Sequence, residues 1–565
     1  MDFSPTEKPK RILLKLLLLM VTLFISLQAS TPTDSELKKM IARMLIVGFP
    51  DAKIDKNSQI LKDMQEYNLG GVILFDKFYK DKTKTKNISS PSQLKKLTKD
   101  LKKFSPKPLF ISIDQEGGKV ARLKPKYGFE SIPSAKEVSQ MSFNESLDIY
   151  EKQSKMIEDT GINMNFAPVV DLAINQKNRV IVGLERSFGK DVSQVVALSR
   201  VEIEEQRAHN IVSVLKHFPG HGSSLGDSHK GFVDVSETWT QEELKPYKLL
   251  IAENKVDMIM TAHVFNSHID KKYPATLSYK FNTELLRKVL KFKGLIISDD
   301  LQMGAISQHY TLAQRTTLAI NAGVDILLFG NQLENVSVKT LVDTIFQELK
   351  SGNIPLSRIL ESNDRIENLH TKFSIIQKPI IFTQKRRNLT KEYIKTHYGL
   401  DVKDITIKPQ TIVLHWTAVM DFKKSFERLN PELLFSDRAD IAKASALNVS
   451  SHFLIDRDGT IYQLMPDNWM ARHVIGLNYS SIGVENVGGE ANKKEDLTQA
   501  QLNANIRLVK YLKAKYPSIK NVIGHYEYRD FEKTPLWLEK DAGYRTKKAD
   551  PGEKFMKDVR TALDK

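Results

Sequence analysis

From about residue 38 to residue 375, short apolar runs alternate with longer amphipathic ones. The short runs lie at 44–49, 70–75, 108–113, 162–170, 211–215, 258–260, 294–297 and 326–329. Each is the length of a buried strand and is bounded by turn residues. Stretches with helical periodicity, such as 192–208, 282–291 and 312–322, separate them. Alternation of strand and helix predicts a parallel sheet, and eight such units predict a closed barrel. The polar residues with chemical potential then fall just after the strands: Asp114, Asp171, Lys216, His217, His263 and Asp299. Barrels of this kind place their active site at the C-terminal strand ends. Helix capping explains one such Asp but not six such positions.

The rhythm changes after residue 375. Residues 376–408 are polar and basic around Gln384–Arg387 and read as a linker with one docking helix at 391–397. From residue 411 strands are predicted at 411–416, 453–455, 460–464, 481–487 and 521–524, with a long helix at 499–515. Asp458-Gly459 is a hairpin turn signal between two of them. This predicts a smaller, mixed α/β domain. The division is therefore 1–29 as a signal segment, 30–375 as the barrel, 376–408 as the linker and 409–565 as the second domain.

Composition narrows the function classes. The chain has 565 residues, 41% hydrophobic and 27% charged, an ordinary globular balance. A formal charge of +16 favours polyanionic partners. No basic recognition helix and no aromatic-interleaved basic strand accompany it, so nucleic acid is not expected. Cysteine is absent, which removes disulfides, thiol nucleophiles and zinc–thiolate sites. Lys8, Lys10 and Arg11 precede an apolar run at 16–27 and then Gln28-Ala29-Ser30. This reads as a secretory signal cleaved near Ala29; an uncleaved inner-membrane anchor is the alternative. The expected location is the periplasm.

In the barrel half, Asp299 or Asp300 ends an apolar strand and is a candidate carboxylate nucleophile for glycoside hydrolysis. Asp227-Ser228-His229 offers a partner: His229 protonates a leaving oxygen near neutral pH and Asp227 orients its ring. Glycines 220, 222 and 226 make the preceding loop mobile. A metal site at His217, His221 and Asp227 is a rival, but the intervening Pro and Gly residues remove any helical His-x-x-x-His face. Four motifs, 113–118, 161–168, 216–229 and 298–301, resemble family 3 glycoside hydrolases, in the NagZ-type β-N-acetylglucosaminidase branch of peptidoglycan turnover. The resemblance implies Asp299 as nucleophile and His229, assisted by Asp227, as acid/base. It implies Asp114, Arg122, Arg186, Lys216 and His217 as ligands of the N-acetylglucosamine. Ser223 departs from an Asp common in this loop, which implies altered packing rather than lost activity.

In the second half His415 and His525 end predicted strands, and Asp550 sits in the turn Lys548-Ala549-Asp550-Pro551-Gly552. Two His and one carboxylate leave zinc an open position for water. The stretches 414–417, 451–459, 481–485, 524–525 and 550–552 resemble the N-acetylmuramoyl-L-alanine amidases of the zinc amidase/peptidoglycan-recognition superfamily. That resemblance implies His415, His525 and Asp550 as zinc ligands, Glu485 as acid/base and Lys548 as the oxyanion cation. The Ala471-Arg472-His473 stretch departs from the commoner Trp-His-Ala-Gly pattern.

The combined expectation is an exported bifunctional peptidoglycan hydrolase acting on muropeptides. It needs zinc in the amidase domain and no cofactor in the barrel. The alternative is an active glucosaminidase barrel carrying a non-catalytic peptidoglycan-binding domain.

Overall fold

The computed structural model describes residues 32–228 and 231–564. The signal segment and His229 therefore lie outside the described residues. Contacts divide the chain into two compact units, with the division between Asn363 and Asp364.

The first unit holds eight parallel strands: Leu45–Gly48, Gly71–Ile73, Phe110–Ile113, Met164–Asn165, Val212–Phe218, Met258–Thr261, Leu295–Ser298 and Leu327–Phe329. Each lies on one of the eight apolar runs. Neighbours pair in chain order, and the last strand returns to the first with Leu45 opposite Leu327. A bridge from Ile297 to Ile326 brings the seventh and eighth strands together, so the barrel is nearly closed. Ile46, Val72, Ile111, Met164, Val214, Ile259, Ile296 and Leu328 are buried along the strands, as near-continuous apolar parallel strands require.

Helices Val192–Ala208 and Leu312–Ala322 occupy their predicted ranges. Asp191 caps the first, and a Thr311/Gln314 capping box starts the second. The predicted helix at 282–291 instead winds as a π-helix over Lys280–Val289. The run at 162–170 keeps only two strand residues, because Pro168 lacks the N–H a ladder needs. The run at 211–215 extends to Phe218, so Lys216 and His217 belong to the strand itself.

The second unit is built on a six-stranded mixed sheet. Its order is Ile376–Gln377, Ile461–Gln463, Phe453–Ile455, Ser481–Asn486, Thr411–Trp416, Asn521–Gly524. The stretch read as a linker thus contributes an edge strand, followed by helix Gln384–Tyr393 and a π turn at Ile394–Tyr398. One sheet face buries Ile412, Leu414, Ile482 and Val484 among Leu508, Val509, Met556 and Val559 of helices Gln499–Lys515 and Glu553–Leu563. By the two-residue period of a strand, His415 and Glu485 point to the other face. Among the described residues no helix is long and apolar enough to cross a membrane.

Candidate active sites

The C-terminal ends of the barrel strands surround a cavity of about 460 Å³ lined by Asp114, Arg122, Arg186, Lys216, His217 and Asp299. All six carry charge or accept a proton, on strand ends or the loops that leave them. Lys216 Nζ lies 2.8 Å from Asp114 Oδ1 and 2.7 Å from Glu116 Oε1. Arg122 donates to Asp114 Oδ2 at 3.1 Å. Arg186 forks onto Glu116 through Nε and Nη2, both at 2.7 Å, the strong bidentate geometry. Burial alone would raise the Asp114 carboxyl, but Lys216 and Arg122 hold it well below the usual carboxylate range. Burial likewise opposes the Lys216 ammonium, and Asp114 and Glu116 outweigh it, so its pKa is raised. These groups are ionised and fixed before a substrate arrives.

Arg186 Nη2 also faces His217 Nε2 at 3.2 Å. Since a guanidinium only donates, Nε2 accepts and the ring proton sits on Nδ1, which lies 2.6 Å from Asp171 Oδ2. Asp171 also accepts the backbone N–H groups of His217 and His221.

Asp299 and Asp300 both line the cavity, but they are used differently. Asp300 Oδ1 accepts Gln302 N at 3.0 Å, and its Oδ2 lies 2.6 Å from where a Cβ on Gly330 would stand. Its carbonyl accepts from His263 Nε2 at 2.9 Å. Asp300 therefore shapes the turn that presents Asp299.

The loop leading to Asp227 is anchored at its base. Glu243 Oε2 accepts Gly222 N (2.9 Å) and Ser223 N (3.3 Å), while its Oε1 is buried without a partner. A Cβ on Gly220, at φ +123°, would come 2.5 Å from the Glu243 Cβ, so only glycine fits. Burial pushes the Glu243 carboxyl up to about 7. Ser223, 1% exposed, thus places a neutral hydroxyl rather than a second carboxylate beside Glu243. Asp227 is half-buried at the far end of this loop.

In the second unit His415 and Glu485 are direct partners on adjacent parallel strands. His525 follows the neighbouring strand Asn521–Gly524. The turn at Asp550 is tied to it by Tyr526 N donating to Asp550 O. Three acceptor atoms converge: His415 Nδ1 to His525 Nδ1 is 2.9 Å, His415 Nδ1 to Asp550 Oδ2 is 3.1 Å, and His525 Nδ1 to Asp550 Oδ2 is 3.0 Å. It is the one such metal-competent group found among the described residues. Burial lowers the His525 imidazole to about 4, leaving it neutral and free to offer a lone pair. Burial first, then Asp550, pushes the Glu485 carboxyl up, and its Oε2 is buried without a partner.

The surrounding cavity, of about 980 Å³, is lined by Glu485 and Lys548 with Lys424, Arg428, Arg438 and Lys547. His473, given no role from the sequence, joins the site: its Nδ1 lies 3.0 Å from His415 Nε2, and its Nε2 lies 3.2 Å from Ser481 Oγ. Arg472, also on the cavity wall, donates to the Ser445, Leu447 and Ile441 carbonyls and to Tyr544 Oη. It braces the segment above the cavity.

A strand-end carboxylate in a barrel mouth and a His/His/Asp triangle beside a half-buried Glu define a hydrolase with two candidate centres. Sequence comparison agrees: residues 35–369 match the glycosyl hydrolase family 3 N-terminal domain and residues 406–553 match the N-acetylmuramoyl-L-alanine amidase domain. The chain belongs to glycoside hydrolase family 3 and carries an amidase-family domain after it. It is 33% identical over 330 residues to a beta-hexosaminidase of Haemophilus influenzae, covering 54% of this chain and 87% of that one. It is 32% identical over 337 residues to beta-hexosaminidase A of Pseudoalteromonas piscicida, covering 55% of this chain but only 54% of the relative's length. A family 3 glycosyl hydrolase structure from Mycobacterium smegmatis superposes with TM-score 0.51 at 29% identity, covering 60% of this chain and 98% of that one.

Proposed function

We propose that this chain is a peptidoglycan hydrolase with two activities: a retaining β-N-acetylglucosaminidase and a zinc-dependent N-acetylmuramoyl-L-alanine amidase. The observation that carries the reading is the pairing, on one chain, of a pre-ionised sugar-sized pocket around Asp299 with the three-acceptor triangle beside Glu485.

In the barrel, Asp114, Arg122, Arg186, Lys216 and His217 hold the N-acetylglucosamine. Asp299 attacks the anomeric carbon, and His229, oriented by Asp227, gives its proton to the departing oxygen. The glycosyl–Asp299 ester forms, and water then opens it with His229 taking the water proton, so configuration is retained.

In the second unit the donor set fits zinc. The three acceptor separations of 2.9–3.1 Å approach the ~3.3 Å edge of a tetrahedron with ligands ~2.0–2.1 Å from its centre. Zinc held by His415, His525 and Asp550 would acidify a water and polarise the amide carbonyl. Glu485 Oε2 accepts a proton and returns it to the leaving L-alanine nitrogen. Lys548 offsets negative charge on the carbonyl oxygen. His473 fixes the orientation of His415 through the imidazole nitrogen remote from the triangle.

Export through the segment 1–29 would deliver both sites to the periplasm, where muropeptides are produced. The basic lining of the second cavity suits acidic stem peptides. Digesting a defined N-acetylglucosaminyl–muramoyl peptide and weighing the products tests the reading. Loss of one N-acetylglucosamine and release of the intact peptide are expected; unchanged masses would refute it.

A further inference from the structure

The stretch between the two matched domains, 370–405, does more than join them. Its helix Gln384–Tyr393 and π turn Ile394–Tyr398 pack into the core of the second unit. There His397 is buried, 3% exposed. Its Nδ1 lies 2.9 Å from Glu539 Oε1, and its Nε2 lies 3.0 Å from Ala444 O. Glu539 Oε1 also accepts Asp541 N at 2.9 Å. A carboxylate and a carbonyl only accept, so both contacts are met only when both ring nitrogens carry a proton. The ring is therefore an imidazolium. Tyr393 stacks on it with ring centres 4.3 Å apart, and Tyr544 meets it at 5.2 Å. Burial works against its charge, and Arg472 adds to that opposition. The hydrogen bonds to Glu539 and Ala444 outweigh both, so the His397 pKa is raised.

Ala444 lies midway along the segment 438–449. The ends of that segment, Arg438 at one and Asn448 and Val449 at the other, line the cavity that holds Glu485 and Lys548. A narrower crevice of about 40 Å³ sets Tyr393, Ile441 and Tyr544 on one wall with His525 and Lys548. The segment has two side-chain holds. Arg472 donates to the Ile441, Ser445 and Leu447 carbonyls, and a guanidinium does not give up its charge. His397 is the hold that titrates.

We propose that His397 is a positioning residue of the amidase: doubly protonated, it ties the 438–449 wall of the cavity through Ala444 to Glu539, and loss of one proton loosens that wall. This rests on the amidase reading above. A neutral imidazole has one N–H. It keeps the stronger bond, to the Glu539 carboxylate, and Ala444 O loses its donor. Because the folded pKa is raised, the hold is complete below the usual imidazole value of 6.5 and is lost as pH rises through the folded value.

Two readouts on the zinc-loaded full chain test this. The first needs no activity: hydrogen–deuterium exchange of the 441–447 peptide, corrected for intrinsic rates and followed from acid to alkaline pH. Protection should fall by about tenfold across the His397 titration, the effect of losing a hydrogen bond to a charged donor. Glu539→Gln keeps the shape and removes the carboxylate charge, so it should move that break about one pH unit or more to the acid side. The second readout is cleavage of N-acetylmuramoyl dipeptide. KM should rise by about threefold at the same break and move with it in Glu539→Gln, with kcat following one profile in both proteins. Protection in the wild-type chain that ignores pH, a break that stays in place in Glu539→Gln, or a KM that does not follow the break overturns the proposal. No peptide release at any pH, with the exchange break present, would instead overturn the amidase reading beneath it.

Discussion

The barrel centre and the second-unit centre solve the same problem of buried charge in opposite ways. In the barrel, Asp114 and Glu116 are met by Lys216, Arg122 and Arg186 within 3.1 Å, so each buried carboxylate is paired by the protein itself. In the second unit two imidazoles and a carboxylate aim acceptors at one point with no side-chain cation among the ion pairs there. On the proposed reading the first arrangement receives a neutral sugar whose hydroxyls exchange hydrogen bonds. On the same reading the second is completed by zinc. Desolvated charge is tolerated only when paired, so the nature of the missing partner can be read from the residual imbalance.

The comparison can be broken by removing one centre at a time. Asp299→Asn keeps the shape and removes the proposed nucleophile. Sugar release should fall by more than ~10³-fold while peptide release is unchanged; a parallel loss of both would show the centres are not independent. His525→Ala should do the converse, abolishing peptide release and lowering bound zinc measured by mass spectrometry of the metal. His473→Ala probes the same centre more gently. Losing the support of His415 should weaken zinc affinity by about 10–100-fold, and an unaltered affinity would assign His473 to packing alone.

The smallest effect concerns the catalytic loop. Glu243 has its pKa raised from 4.5 to about 7 by burial. The folded state then holds this proton more tightly than the unfolded one, so its favourable contribution is present below pH 4.5 and is lost as pH climbs to about 7. Glu243→Gln keeps the neutral form at every pH. Urea unfolding of the wild-type barrel should lose stability on the order of 3 kcal/mol relative to the variant across that window. Parallel pH profiles would show that Glu243 is not held neutral.

What was legible in the sequence follows from locality. The eight barrel runs and strands such as Thr411–Trp416 are marked by apolar periodicity within a few residues, and strand ends then point to Asp299, His415 and His525. Glu116, Glu243 and His473 were not assigned roles. Their partners lie 70, 20–21 and 58 residues away in the chain, beyond any local pattern. Glu116 stood inside a recognised motif, and only the folded chain shows its fork with Arg186.

The account stands on two centres of different chemistry, one metal-free and one metal-dependent. The most direct test is to digest a defined N-acetylglucosaminyl–muramoyl peptide with the zinc-loaded and the chelator-stripped full chain, and to follow both products by mass spectrometry. Stripping should stop peptide release, leave N-acetylglucosamine release unchanged, and be reversed by added zinc. Peptide release that survives the chelator, or sugar release that stops with it, would contradict the account.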